Sequence, residues 1–145
     1  MTEKMNIAFI KARWHTEIVD QALVGFEKRL AGCGETTKTA IFDVPGAFDM
    51  PLPAQMLGRS GKLDAIVCAA LVVDGGIYQP DFVARAVVDG LMRKQLDTGV
   101  PTFSVSLTPH HFQPTPEQVV FFRDPFVKKG EEAAGAALML ATLEA

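Results

Sequence analysis

The apolar positions of this chain alternate between continuous runs and stretches spaced for a helix. Asn6 to Ala12 is mostly apolar and predicts a strand. From Glu17 to Ala31, Ile18, Val19, Ala22, Leu23, Phe26 and Leu30 share one face while Asp20, Glu27, Lys28 and Arg29 lie elsewhere, which predicts an amphipathic helix with Thr16 as its expected cap. Gly32 and Gly34 stop it, Thr37 to Val44 reads as a second strand, and Pro45-Gly46 opens a loop before a helix that starts near Pro51 and ends around Gly58 to Gly61. Ala65 to Val73 is an apolar run without a charge, bounded by Asp64 and Asp74, the pattern of a central strand buried on both faces. After Gly75-Gly76, Phe82, Val83, Ala86, Val87 and Leu91 recur at helical spacing, so a third helix is predicted from about Asp81 to Thr98. Gly99-Val100-Pro101 then leads into a fourth strand, Thr102 to Leu107. Beyond a proline-punctuated loop, Thr115-Pro116-Glu117 predicts a short helical turn, and an alanine-rich stretch from about Phe126 to Leu143 predicts the last helix.

Strands alternating with helices imply an α/β three-layer sandwich: a four-stranded parallel sheet flanked by helices, because parallel strands need crossover helices and both sheet faces need cover. The 145 residues are expected to form one domain, residues 1–145. In open parallel sheets ligands bind beyond the carboxyl ends of the strands. The segments that follow the four strands hold the only tryptophan, the only tyrosine and all three histidines, so a site is expected at that edge.

Composition removes several classes of function. A net charge of −3 without a basic stripe argues against a nucleic-acid partner. The longest apolar run is too short to span a bilayer and the N-terminus has no signal-like segment, so no membrane association and a cytoplasmic location are expected. Cys33 and Cys68 lack the spacing of a metal site or a disulfide framework and are read as structural.

Several residues carry candidate chemistry. Trp14 and His15 suit stacking on, and hydrogen bonding to, a flat heteroaromatic ligand; a tryptophan capping the core is the alternative. Asp49, just before a helix, suits ligand hydroxyls or a helix cap. Gly75-Gly76 permits close backbone approach, and the next helix's free amides favour an anion. His110 and His111 are adjacent and point apart, which is poor chelating geometry, so no metal is expected; either could titrate near neutrality. Arg123, Lys128 and Lys129 fall near the expected start of the last helix, where the dipole disfavours cations, so at least one is expected to face an anion.

The series AFIKARWH, FDVPGAFDMP, AIVCAALVVDGG, DFVARAVVDGLMRKQLDTGVP, LTPHHF and KKGEEAAGAAL, in this order and spacing, resembles the lumazine synthase family over nearly the whole chain, closest to its type II branch. The resemblance implies a four-stranded parallel sheet and a homo-oligomer, a pentamer or a dimer of pentamers, with active sites between neighbouring subunits. It implies condensation of 5-amino-6-ribitylaminouracil with 3,4-dihydroxy-2-butanone 4-phosphate, releasing water and phosphate, without metal or organic cofactor. By position, Trp14 is similar to the family's stacking aromatic, and His15 stands where asparagine is common. Asp49 replaces the glutamate that holds ribityl hydroxyls. Ala47 and Phe48 would offer backbone groups to the ribityl chain, and Val72 and Val73 would line the ring pocket. Gly75, Gly76 and Ile77 occupy the phosphate-binding turn, with the usual threonine hydroxyl missing at Ile77.

The family's proton-transfer histidine falls at Gln79, which cannot shuttle a proton at neutral pH. His110 and His111 are the alternative donors. The phosphate-gripping cation of the neighbouring subunit corresponds to Arg123, with Lys129 as second candidate. General acid-base help is worth about 10² to 10⁴ in rate, whereas positioning two reactants supplies effective molarities of about 10⁵ M or more, so a slow but real synthase is expected. The competing readings are a ribityl-lumazine or flavin-binding oligomer with little catalysis, and a same-fold enzyme acting on another phosphorylated sugar.

Overall fold

In the computed structural model, which describes residues 5–32, 37–72, 80–107, 115–141 and 143, four strands form one parallel sheet in the order β2-β1-β3-β4. The strands are β1 (Met5–Ala12), β2 (Thr37–Val44), β3 (Ala65–Leu71) and β4 (Thr102–Leu107), and the helices are α1 (Thr16–Ala31), α2 (Pro51–Arg59), α3 (Pro80–Thr98) and α4 (Pro116–Ala141). The crossover rule explains the layers. From β1 the chain moves one way along the sheet to β2, then reverses, passing β1 to reach β3 and continuing to β4. Right-handed connections in opposite directions put α1 on one face and α2 with α3 on the other.

The strand residues separate accordingly. Ile7, Phe9, Val67, Ala69 and Val105 pack with Ile18, Val19, Ala22 and Phe26 of α1 and with Phe126, Ala134 and Ala137 of α4. Ala8, Ile10, Ile66, Cys68 and Ala70 pack with Met50 and Ala54 and with Val87 and Leu91 of α3. Every residue of β3 is buried, as a strand between two neighbours and under helices on both faces must be.

Three details differ from the sequence reading. β3 stops at Leu71; Val72 is buried just past it, and Val73 lies outside the described residues. Thr16 is the first residue of α1 and not its cap: His15 holds that position in the left-handed region, at φ 59° and ψ 48°, and its carbonyl accepts the N–H groups of Ile18 and Val19 at 3.0 Å each. The turn at residues 115–117 and the last helix are one continuous helix, α4, running through Pro125. Proline lacks an N–H to give the carbonyl four residues back, yet the fully buried Phe126 beside it packs with α1, and this burial holds the helix together. Arg123, Lys128 and Lys129 are therefore interior to a helix rather than at its N-terminus, and the dipole argument for an anion at them no longer applies.

Candidate active site

The reversal of strand order makes β1 and β3 the switch point of the sheet, where crossovers leave for opposite faces and open a crevice beyond the carboxyl ends. β1 carries the corner Arg13-Trp14-His15 at its carboxyl end. The Arg13 N–H donates to the Val44 carbonyl at 2.9 Å, carrying the β1–β2 pairing one residue beyond the strand. Trp14 follows with 67% of its surface exposed, so it does not cap the core. Only a few residue types other than glycine adopt the backbone of His15 readily, histidine and asparagine among them. That preference gives a conformational reason for the two types that alternate here in the resemblance.

From β2 the chain enters a 3₁₀ turn, Ala47–Asp49, which packs against the ends of β1 and β3 and against α3. The turn thus crosses from the outer strand to the switch point. Its Asp49 accepts the Gly46 N–H through Oδ2 at 3.1 Å, while the Asp49 N–H donates to the Gly46 carbonyl at 3.1 Å. This reciprocal pair fixes the carboxylate and leaves it exposed, with Oδ1 directed to no protein donor among the described residues. Capping and ligand binding are compatible roles for the two oxygens. Phe48 stands beside it with 69% of its surface exposed, and Ala47 is half-buried. Trp14 after β1 and Phe48 after β2 are both exposed aromatic rings that follow strands of the sheet, and rings of this kind suit stacking on a flat ligand.

Val72, just past β3, is buried, 6% exposed. Val73, Gly75, Gly76, Ile77 and Gln79, and His110 and His111, lie outside the described residues. Arg123 and Lys129 are exposed on α4, on the α1 side of the sheet. Lys129 is paired with Glu132 at 3.0 Å.

Two lysines escaped the sequence reading. Lys11, near the end of an otherwise apolar strand, reaches Asp20 Oδ1 of α1 at 2.8 Å and Asp43 Oδ1 of β2 at 3.4 Å. The hydrogen bond to Asp20, opposed by burial and supported by Asp43, raises its pKa above the ordinary lysine value. Lys94, 3% exposed on α3, donates to the Thr102 hydroxyl beneath the sheet's other face, and burial lowers its pKa. The sequence held a signal for each: a lone charge inside a strand pattern, and a lysine completing the i, i+4, i+7 series of Val87 and Leu91.

Residues 4–145 match the family model described as 6,7-dimethyl-8-ribityllumazine synthase. A 6,7-dimethyl-8-ribityllumazine synthase of Rhodococcus erythropolis is 58% identical over 132 residues, 90% of this chain and 85% of the relative. Proteins named 6,7-dimethyl-8-ribityllumazine synthase 2 are similar too. That of Pseudomonas syringae pv. tomato is 54% identical over 130 residues, covering 89% of this chain and 76% of its own length. That of Bradyrhizobium diazoefficiens is 46% identical over 131 residues, covering 90% and 79%.

Proposed function

The chain belongs to the 6,7-dimethyl-8-ribityllumazine synthase family, and on that premise we propose that it is a transferase of riboflavin biosynthesis that condenses 5-amino-6-ribitylaminouracil with 3,4-dihydroxy-2-butanone 4-phosphate. Trp14 stacks on the pyrimidine, the free oxygen of Asp49 and the backbone of Ala47 and Phe48 hold the ribityl chain, and Val72 with Val73 borders the ring. Gly75, Gly76 and Ile77 receive the phosphate. The observation that carries this reading is the exposure of Trp14 after β1 and of Phe48 after β2, with Asp49 next to Phe48 in the chain and fixed by Gly46.

The proposal makes catalysis chiefly a matter of holding the amine of one substrate against the ketone of the other. With glutamine at position 79, proton movement falls to His110, His111 or water. No metal or organic cofactor enters the scheme.

We take the working form to be a homo-oligomer, a pentamer or a dimer of pentamers, in the cytoplasm. Exposed apolar side chains on the edge strand β2 (Ile41, Phe42) and on α2 and α3 (Leu52, Met56, Met92, Leu96) support association. In that arrangement Arg123, with Lys129 as the alternative, serves the phosphate site of a neighbouring subunit.

The test is the steady-state rate of lumazine formation, followed by absorbance against the enzyme-free reaction. A rate above background that disappears in Trp14→Ala supports the synthase. Product binding without turnover selects the binding oligomer that Gln79 favours, and absence of both redirects the scaffold to another phosphorylated sugar.

A further inference from the structure

We propose that Lys11 is a positioning residue for the pyrimidine substrate: by clamping β1 to Asp20 of α1 and to Asp43 of β2 it fixes the corner that carries Trp14. The proposal rests on the reading of Trp14 as the stacking ring.

Side-chain burial is not what directs the indole at this corner. Arg13 and Trp14 are exposed, so no side-chain burial sets the direction of the indole. His15 is in the left-handed region, which histidine adopts more readily than most residues but which still needs its neighbours to select it. Those neighbours are the two elements on either side. Arg13 is tied to Val44 at the end of β2, and the His15 carbonyl is tied to the first turn of α1. Lys11 joins the same two elements one layer below. Asp43 is its direct partner in the β1–β2 register, one residue before Val44, and Asp20 lies one turn into α1.

The Lys11 side chain is 15% exposed while the Asp20 and Asp43 side chains are 44% and 47% exposed, so the link is partly screened by solvent and acts mainly by geometry, one amine held between two elements. Removing the amine does more than delete two contacts. Asp20 and Asp43 share one amine and are therefore close to each other, and without it they repel across the corner. The link between α1 and β2 is then lost, and the turn at His15 is free to shift with Trp14 on it.

Trp14 is the chain's only tryptophan, so its fluorescence reports on this corner alone. The experiment uses the intact oligomer of wild type, Lys11→Met, Lys11→Arg, Asp43→Asn and Trp14→Ala. In Lys11→Met we expect the KM for the pyrimidine to rise about tenfold and that for the butanone phosphate by less than about twofold. Trp14 anisotropy should fall, Lys11→Arg should restore both readings, and Asp43→Asn should show the same changes more weakly. A Lys11→Met protein that melts earlier but keeps the wild-type pyrimidine KM and Trp14 anisotropy overturns the proposal, leaving Lys11 a structural ion pair. If Lys11→Met does not fold, unchanged readings in Asp43→Asn overturn it instead. Should Trp14→Ala itself leave the pyrimidine KM unchanged, the stacking reading fails, and anisotropy still decides whether Lys11 controls the corner.

Discussion

Gly130 of α4 lies so close to Ala22 of α1 that a methyl group in place of its hydrogen would sit 1.9 Å from the Ala22 carbonyl oxygen. The contact is reciprocal: a methyl group on Gly25 would sit 2.0 Å from the Val127 oxygen. Backbone meets backbone at this crossing, and a backbone cannot turn aside as a side chain can. We expect Gly130→Ala and Gly25→Ala each to destabilise the fold by about 3 kcal/mol, the upper range for overpacking. Gly135, further along α4, has open space at its Cβ position. Gly135→Ala should be stabilising by roughly 0.5–1 kcal/mol through helix propensity. Thermal unfolding of the three variants checks the contrast.

Lys94 carries a pH dependence of definite sign. Its folded pKa lies below the ordinary 10.5 because burial disfavours the cation, so across that interval the unfolded chain binds more protons than the folded one. Stability contributed at this site therefore rises as pH climbs through the folded value toward 10.5, and the penalty is complete below it. Lys94→Met removes both this penalty and the hydrogen bond to Thr102, so its melting temperature relative to wild type should be higher at pH 7 than at pH 10. Lys11 has the opposite sign: its raised pKa means its contribution is whole below 10.5 and fades as pH rises through the folded value. Between pH 7 and pH 10 the melting difference for Lys94→Met should therefore move in favour of the wild type, whereas the cost of Lys11→Met should stay constant and fade only above 10.5.

Cys68 is fully buried in β3, and burial pushes its thiol up to about 12 against a weaker opposing effect from Lys94. An alkylating reagent at pH 8 should leave Cys68 unmodified in the native protein and label it after denaturation. Mass spectrometry of the Cys68 peptide reads this directly; labelling of the native fold would mean that β3 opens far more readily than its burial allows.

Asp49 should divide into two roles under substitution. Asp49→Ala removes both the Gly46 anchor and the free oxygen, and should raise the pyrimidine KM about tenfold or more, as loss of a charged hydrogen-bond acceptor does. Asp49→Asn keeps an oxygen able to accept from Gly46 and should lie between it and wild type. Equal KM values for all three proteins would remove Asp49 from the ribityl site.

The sequence by itself determined the order and kind of the elements. The bounds of β2 and β4 agree to the residue, because runs bounded by glycine, proline and charge are local facts that the backbone reads locally. The sequence also shows that the tryptophan, tyrosine and histidines follow the strands, and parallel connectivity gathers strand ends at one edge, which is why the site is proposed there. The tertiary structure decided what depends on residues far apart in the chain. α4 runs unbroken through Pro125 because Phe126 packs into the core with α1. Lys11 acquired a role only when β2 and α1 brought it two aspartates, 32 positions ahead in one case and nine in the other. The turn at Asp49 packs against β1, β3 and α3, although its own bonds to Gly46 are local. Hydrophobic periodicity is a property of neighbours along the chain, whereas ion partners and close glycine crossings belong to neighbours in space, and only folding chooses those.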